Sequence, residues 1–419
     1  MVTFYLTLVG GLFLAWFILV VLFAPHIPYH VESPLDPSSE HFVRVLESAC
    51  LVALEDGNRL DVFTDGPQFY PAMLDAVRSA REAVNMECYI FQNDDIGKAF
   101  VDALSERARA GVQVRLVLDA IGSFSGLRAA AARLREAGCH VEQYQFPFWY
   151  RLHRLNNRTH RELLVVDGRV AFVGGAGVAD WWNQPAGGEA MWRDMMVRVE
   201  GPVVTQIQGV AAENWLECCG EIQTGPDVYK SQDPKGPVPA FALKSSPSDR
   251  ATASRVLFQT FVESAGTRCR ISTPYFLPDK AFRRALVRTA SRGVPISVVV
   301  PGPKTDQKLV RLASRRLYGE LLKAGVRIFE FQPGMIHVKM LVVDDLWSVV
   351  GTTNLDNRSF EHNDEVSLVA RDVTTARRLS DDNDRDISAS REITLDVWMR
   401  RPLLEKLVGW VIWLPERQQ

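Results

Sequence analysis

The chain has 419 residues, 47% of them apolar and 23% charged, with a formal net charge of -2. That length exceeds the roughly 100 to 200 residues of an ordinary domain and suits two similar lobes. The near-zero charge excludes an overall basic field for gathering nucleic acid, and six cysteines without CxxC spacing argue for free thiols over a disulfide framework or a zinc site.

The first predicted element, Val2 to Ala24, carries no charged side chain and is ended by Pro25. At about 1.5 Å per residue it reaches roughly 34 Å, so it is expected to be a transmembrane helix across a hydrocarbon core of about 30 Å. It lacks the basic n-region of a cleaved signal peptide. No Lys or Arg precedes it and the first to follow is Arg44, which leaves the orientation in the membrane open.

A polar connector (26–48) leads to a first lobe expected over 49–222. There a helical stretch (Pro71 to Ala83), a strand (Asn85 to Phe91), a helix (Ile96 to Ala110) and a strand (Gly111 to Leu118) follow one another in α/β fashion. After a linker (223–249) dense in Pro, Ser, Asp and Lys, the pattern returns in a second lobe (250–400). Its matching segments are Val256 to Ala265, Arg270 to Phe276, Lys280 to Ser291 and Gly293 to Val300. Ala137 to Tyr144 and Ala324 to Phe331 are likewise paired, each a helix end turning into a strand at a glycine. The fold class expected is therefore α/β, with two similar lobes that are each a mixed β-sheet flanked by helices, behind an N-terminal transmembrane helix.

The repeat turns chemical in its last third. Thr159-His-Arg-Glu-Leu-Leu-Val-Val-Asp-Gly168 in the first lobe matches Ile336-His-Val-Lys-Met-Leu-Val-Val-Asp-Asp345 in the second, and each is followed by a Gly-containing turn. His160 and His337, Asp167 and Asp344, and Gly174 and Gly351 share one offset of 177 residues. Asp194 and Glu365 each open a later strand, where a carboxylate can hold a ring N–H of its own half's histidine and fix the tautomer.

These paired His-x-Lys-x4-Asp patterns, the first with Glu162 in place of lysine and Gly177 where asparagine is common, resemble the phospholipase D superfamily. With the leading apolar helix and Glu87-Cys-Tyr-Ile-Phe-Gln-Asn-Asp-Asp95, the chain looks like the bacterial cardiolipin synthases within it. The resemblance covers most of residues 49 to 400. It implies that His160 attacks phosphorus to form a phosphohistidine, that His337 is general acid and base, and that Lys339, Asn354 and Thr352 bind the phosphoryl oxygens. The catalytic set of the motifs, His160, His337 and Lys339, also takes in Asp167 and Asp344, which are better read as framework groups near the lobe contact than as bases. It also implies phospholipid substrates, phosphatidylglycerol above all, at the bacterial inner membrane, with no metal, no cofactor and no nucleic-acid partner.

Near-symmetry leaves open which histidine plays which part, and the sequence does not give the acceptor, the membrane face or the oligomeric state. A hydrolase or nuclease of the same superfamily and a lapsed lipid-binding protein are the alternatives. The aromatic and cationic run Phe146 to Arg154 and the C-terminal apolar run Leu403 to Leu414, within 401–419, are candidate interfacial or body-docking segments. Glu162 is expected to impair the site, and lysine there to raise the rate, because one phosphoryl donor is typically worth about 10²- to 10³-fold.

Overall fold

A computed structural model of the chain describes residues 2–23, 28–145, 157–184, 192–225, 228–247, 252–403 and 405–406. Its centre is one 16-stranded sheet that runs through both lobes. Outward from the middle, the first lobe contributes Glu55–Thr64, Met195–Glu200, Val170–Gly174, Leu163–Val166, Ala83–Cys88, Gln113–Asp119 and His140–Tyr144. The second lobe mirrors this with Val238–Ser245, Asn363–Arg371, Trp347–Gly351, Met340–Val343, Cys269–Ser272, Ile296–Pro301 and Arg327–Phe331, then adds Ser390–Ile393 at the edge. In each lobe the last three mirrored strands are mutually parallel, and the strand carrying the motif lies antiparallel to them. This is the expected mixed sheet.

The motif strands read Leu-Leu-Val-Val and Met-Leu-Val-Val because both of their faces are covered, which favours continuous apolar runs over alternation. Leu164 and Val166 face the first lobe's core, whereas Leu163 and Val165 face a core shared with Ile336, Val338, Met340 and Val342. The opposite faces of Leu341 and Val343 pack into the second lobe's own core. Helices Gly66–Ser79, Asp95–Arg109 and Phe124–Glu136 in the first lobe correspond to Ala253–Ser264, Lys280–Ser291 and Lys308–Lys323 in the second.

Several expectations change. Val2–Phe23 is helical, but among the described residues no helix is long and apolar enough to cross a membrane, so the expected transmembrane helix is withdrawn. The expected linker contains Val238–Ser245, which pairs with Glu55–Thr64 and with Asn363–Arg371 and so joins the lobes. Its Pro-rich approach hid a strand whose Phe241 and Leu243 are buried. The expected connector contains helix Glu40–Cys50, capped by Ser39, and Phe42 of that helix packs edge-on against Phe261 and Trp347 of the second lobe. Phe146 to Arg154 and most of Leu403 to Leu414 lie outside the described residues.

Since the lobes share a sheet and a core, they are expected to unfold together. Leu368→Ala removes a side chain only 3% exposed from the shared core, and should cost about 2 to 5 kcal/mol. Chemical denaturation should show a single transition moved to lower denaturant, and two resolved transitions would show the lobes to be independent.

Candidate active site

Both histidines sit where a short strand of one lobe meets a strand of the other. Arg158–Thr159 pairs in parallel with Asn363 and Asp364, and the His160 N–H donates to the Asp364 carbonyl at 2.9 Å. Met335–Ile336 pairs in parallel with Trp192–Arg193, and the His337 N–H donates to the Arg193 carbonyl at 2.7 Å. The residue after each of these partners is a carboxylate.

Glu365 Oε2 lies 3.2 Å from His160 Nδ1, and Asp194 Oδ2 lies 2.8 Å from His337 Nδ1. The structure thus brings the two candidate orienting groups to the histidines, but exchanged: each serves the other lobe's imidazole. Thr352 is corrected from phosphate binder to support, since its hydroxyl donates to Glu365 at 2.5 Å and accepts from the Val366 N–H at 3.0 Å. Its carbonyl lies 3.1 Å from His160 Nδ1. The same Asp194 Oδ2 accepts from the Trp182 indole N–H at 3.2 Å, and Oδ1 accepts from the Met195 N–H at 2.9 Å.

Lys339 folds back over His337, with Nζ 2.7 Å from Nδ1, 3.1 Å from Nε2 and 2.9 Å from the histidine's own carbonyl. Asn354 is 2% exposed, lines the cavity, and its Oδ1 has no hydrogen-bond partner. A buried amide left in that state is what a ligand's polar atoms would satisfy.

Glu162 does something different from Lys339. Its Oε1 accepts the Tyr89 and Ile90 N–H groups at 3.1 and 3.2 Å, and Oε2 accepts from the Cys88 thiol at 3.0 Å. Arg158, Arg161 and Arg193 are engaged elsewhere, with Asp119, Glu213 and Asp386. Burial pushes the Glu162 carboxyl up to about 8, so near neutral pH it mostly keeps its proton. The strand register makes Tyr89 the counterpart of Pro274, because Glu87 opposes Leu163 as Ser272 opposes Met340. A carboxyl therefore stands in the lobe that has an N–H to satisfy, and a lysine in the lobe where proline has none. Gly177 completes the difference: a Cβ there would come within 2.6 Å of the Ile90 carbonyl oxygen and 3.0 Å of Glu162 Oε1, leaving no place for an asparagine.

Asp167 and Asp344 are corrected too. Asp167 accepts the N–H groups of Arg81, Glu82 and Ala83, and Asp344 those of Gly266, Thr267 and Arg268. Each ties a helix-to-strand turn to the motif strand within its own lobe. They are framework groups, neither catalytic nor at the lobe contact.

His160, His337 and Asn354 line one cavity of about 410 Å³, together with Tyr89, Trp192, Tyr275, Asp306, Asp356 and Arg358, which motif reading did not single out. The Tyr89 ring lies 5.1 Å from that of His160, and the Trp192 ring 5.1 Å from that of His337. The available signal was positional, since Tyr89 and Tyr275 lie near the ends of the matching strand segments Asn85 to Phe91 and Arg270 to Phe276. Burial penalises a charged imidazole at both histidines. At His160 the Glu365 carboxylate outweighs it and the pKa rises above 6.5, whereas at His337 Lys339 adds to burial and the pKa falls. Such a pair can offer one neutral and one protonated imidazole to a phosphodiester, with an ammonium and an amide for its non-bridging oxygens. Among the described residues no cluster of three or more His, Cys, Asp or Glu is arranged to hold a metal ion.

The family described as cardiolipin synthase, PLD-like domain, matches residues 73–209 and 259–387. The major cardiolipin synthase of Bacillus subtilis is 34% identical over 352 residues, covering 83% of this chain and 73% of that protein. Cardiolipin synthase A of Pseudomonas putida is 34% identical over 342 residues, covering 81% and 70%. The fold is shared with the phosphatidylserine synthase of Haemophilus influenzae, at 12% identity and a TM-score of 0.63 over 88% of this chain and 96% of that one. It is also shared with the polyphosphate kinase of Porphyromonas gingivalis, at 11% identity and a TM-score of 0.54 over 93% and 57%.

The surroundings of Glu162 generate two predictions. A carboxyl raised from 4.5 to about 8 on folding binds its proton more tightly folded than unfolded. Its contribution is therefore full at low pH and is lost as pH climbs through that interval. Glu162→Gln, which mimics the protonated acid, should gain several degrees in Tm relative to the unsubstituted protein between about pH 5 and about pH 9, and a constant gap would refute the raised pKa. Glu162→Lys should lose about 1 to 3 kcal/mol by leaving amide donors unmet, with no gain in initial rate. A folded, faster Glu162→Lys protein would restore the view that this carboxyl simply impairs the site.

Proposed function

Because this chain belongs to the cardiolipin synthase, phospholipase D-like family, we propose that it is a phosphatidyltransferase. It makes cardiolipin from two phosphatidylglycerols through a phosphohistidine. The observation that carries this reading is the pair of buried histidines, each hydrogen-bonded to a carboxylate of the other lobe and both lining one cavity. One imidazole attacks phosphorus while the other protonates the departing glycerol oxygen, and the second then takes the proton of the acceptor hydroxyl. Lys339 and Asn354 stabilise the charge on the phosphoryl oxygens. A cavity of about 410 Å³ admits polar headgroups and leaves acyl chains outside, which suits a protein working on phospholipids at the surface of the bacterial cell membrane. With one lysine at the phosphate and no counterpart in the first lobe, the transferase is a slow one.

Purified protein incubated with phosphatidylglycerol should release glycerol and cardiolipin in equal amounts. His160→Ala and His337→Ala should each lower that yield by 10³-fold or more, since the members of a concerted catalytic unit are not additive. Asn354→Ala should lower it by roughly 10²-fold. Phosphatidic acid in place of cardiolipin would identify water as the acceptor, and no turnover of any phospholipid would leave a binding protein.

A further inference from the structure

We infer that His337, and not His160, is the nucleophile that carries the phosphatidyl group, and that His160 is the acid that protonates the leaving alcohol. This rests on the phosphohistidine reading above and reverses the roles that the family resemblance implies.

The lobes differ at the residue two places beyond each histidine. In the second lobe that residue is Lys339, whose ammonium stands 2.7 and 3.1 Å from the two ring nitrogens of His337. In the first it is Glu162, turned away onto the 89–90 backbone, and the His160 ring nitrogen Nδ1 instead faces the Thr352 carbonyl and the Glu365 carboxylate. A proton added to His337 would place a second positive charge against the ammonium with Asp194 as the adjacent counter-ion, Asp306 acting from farther off. A proton added to His160 meets the Glu365 carboxylate at 3.2 Å, with Asp356 acting from farther off and Lys339 opposing from across the site. Like charges at hydrogen-bonding distance in a buried site disfavour double occupancy strongly. The single exchangeable proton of the resting pair therefore resides on His160. The directions in which the two imidazoles are shifted agree.

With Nδ1–H held by Asp194, the His337 Nε2 lone pair attacks phosphorus. The Nε2–P bond forms, the P–O bond to the glycerol headgroup breaks, and that oxygen takes its electron pair and the proton from His160. Lys339 moves from the ring to the phosphoryl oxygens. In the second half the hydroxyl of another phosphatidylglycerol gives its proton to neutral His160, its oxygen attacks phosphorus, and the Nε2–P electrons return to His337. Two phosphatidylglycerols become one cardiolipin and one glycerol, and both histidines regain their starting states.

A substrate whose leaving group needs no proton separates the roles. The p-nitrophenyl ester of phosphatidic acid should give His160→Ala a burst of about one p-nitrophenolate per protein. That variant should form and accumulate the phosphoenzyme at close to the unsubstituted rate, while losing roughly 10³- to 10⁴-fold on phosphatidylglycerol. His337→Ala should give no burst. In the unsubstituted protein, quenched during turnover of labelled phosphatidylglycerol, the acid-labile label should map to the peptide containing His337, a measurement that no folding defect of a variant affects. Label on His160, or a burst in His337→Ala and none in His160→Ala, would overturn the assignment while leaving the phosphohistidine mechanism standing. The absence of burst and label from the unsubstituted protein would remove the mechanism itself, and the assignment with it.

Discussion

The exchange of carboxylates between lobes is the constraint on which the rest of the site depends. An imidazole that must attack or release a proton at Nε2 needs its Nδ1 proton fixed, and here the acceptor comes from the opposite half of the chain: Glu365 for His160 and Asp194 for His337. The two short parallel pairings, Arg158–Thr159 with Asn363 and Asp364 and Met335–Ile336 with Trp192–Arg193, put each carboxylate one residue past the point of contact. Neither lobe holds a complete site by itself. Buried ion pairs such as Arg193 with Asp386 pin the same crossing.

That dependence accounts for the architecture around it. A site closed by main-chain hydrogen bonds across a lobe boundary requires a boundary that does not slide, and the apolar core shared by Leu163, Val165, Val338 and Met340 supplies it. Such close-packed interiors resist small displacements. The strands Glu55–Thr64 and Val238–Ser245 reinforce the arrangement by making one sheet of two. Asp167 and Asp344, far from the chemistry, fasten each motif strand to the turn before its neighbour.

Within this nearly symmetric frame the two halves have diverged as matched sets. Lys339 goes with Pro274 and Asn354, and Glu162 goes with Tyr89 and Gly177. In the first set the Asn354 amide lines the cavity, the Lys339 ammonium lies against His337, and Pro274 offers no N–H in the place of Tyr89. In the second a carboxyl is consumed by two backbone amides and a thiol, and the glycine leaves it room. A single exchange between the sets therefore meets the wrong neighbours, and the polarity of the site, cation over one histidine and acid beside the other, is built into the fold.

Much of this was legible in the sequence. The repeated order of helices and strands, the 177-residue offset and the paired His and Asp identified the duplicated lobes and both imidazoles, because strand periodicity and motif spacing are local properties. Glu162 was visibly the odd residue of the first motif, and Asp194 and Glu365 were visible at their strand starts. Other matters were beyond a linear reading. Val238–Ser245 looked like linker because its burial comes from strands more than a hundred residues away, and Thr352 looked like a phosphate ligand because its bond to Glu365 is set by the pairing of Trp347–Gly351 with Asn363–Arg371. The sequence by itself determined which groups are present and that they come in two copies. Which carboxylate serves which histidine, where Glu162 points and which imidazole bears the cation were decided only by the tertiary structure, because hydrogen bonding and charge act through distance in space, and that distance is fixed when the two lobes close on one another.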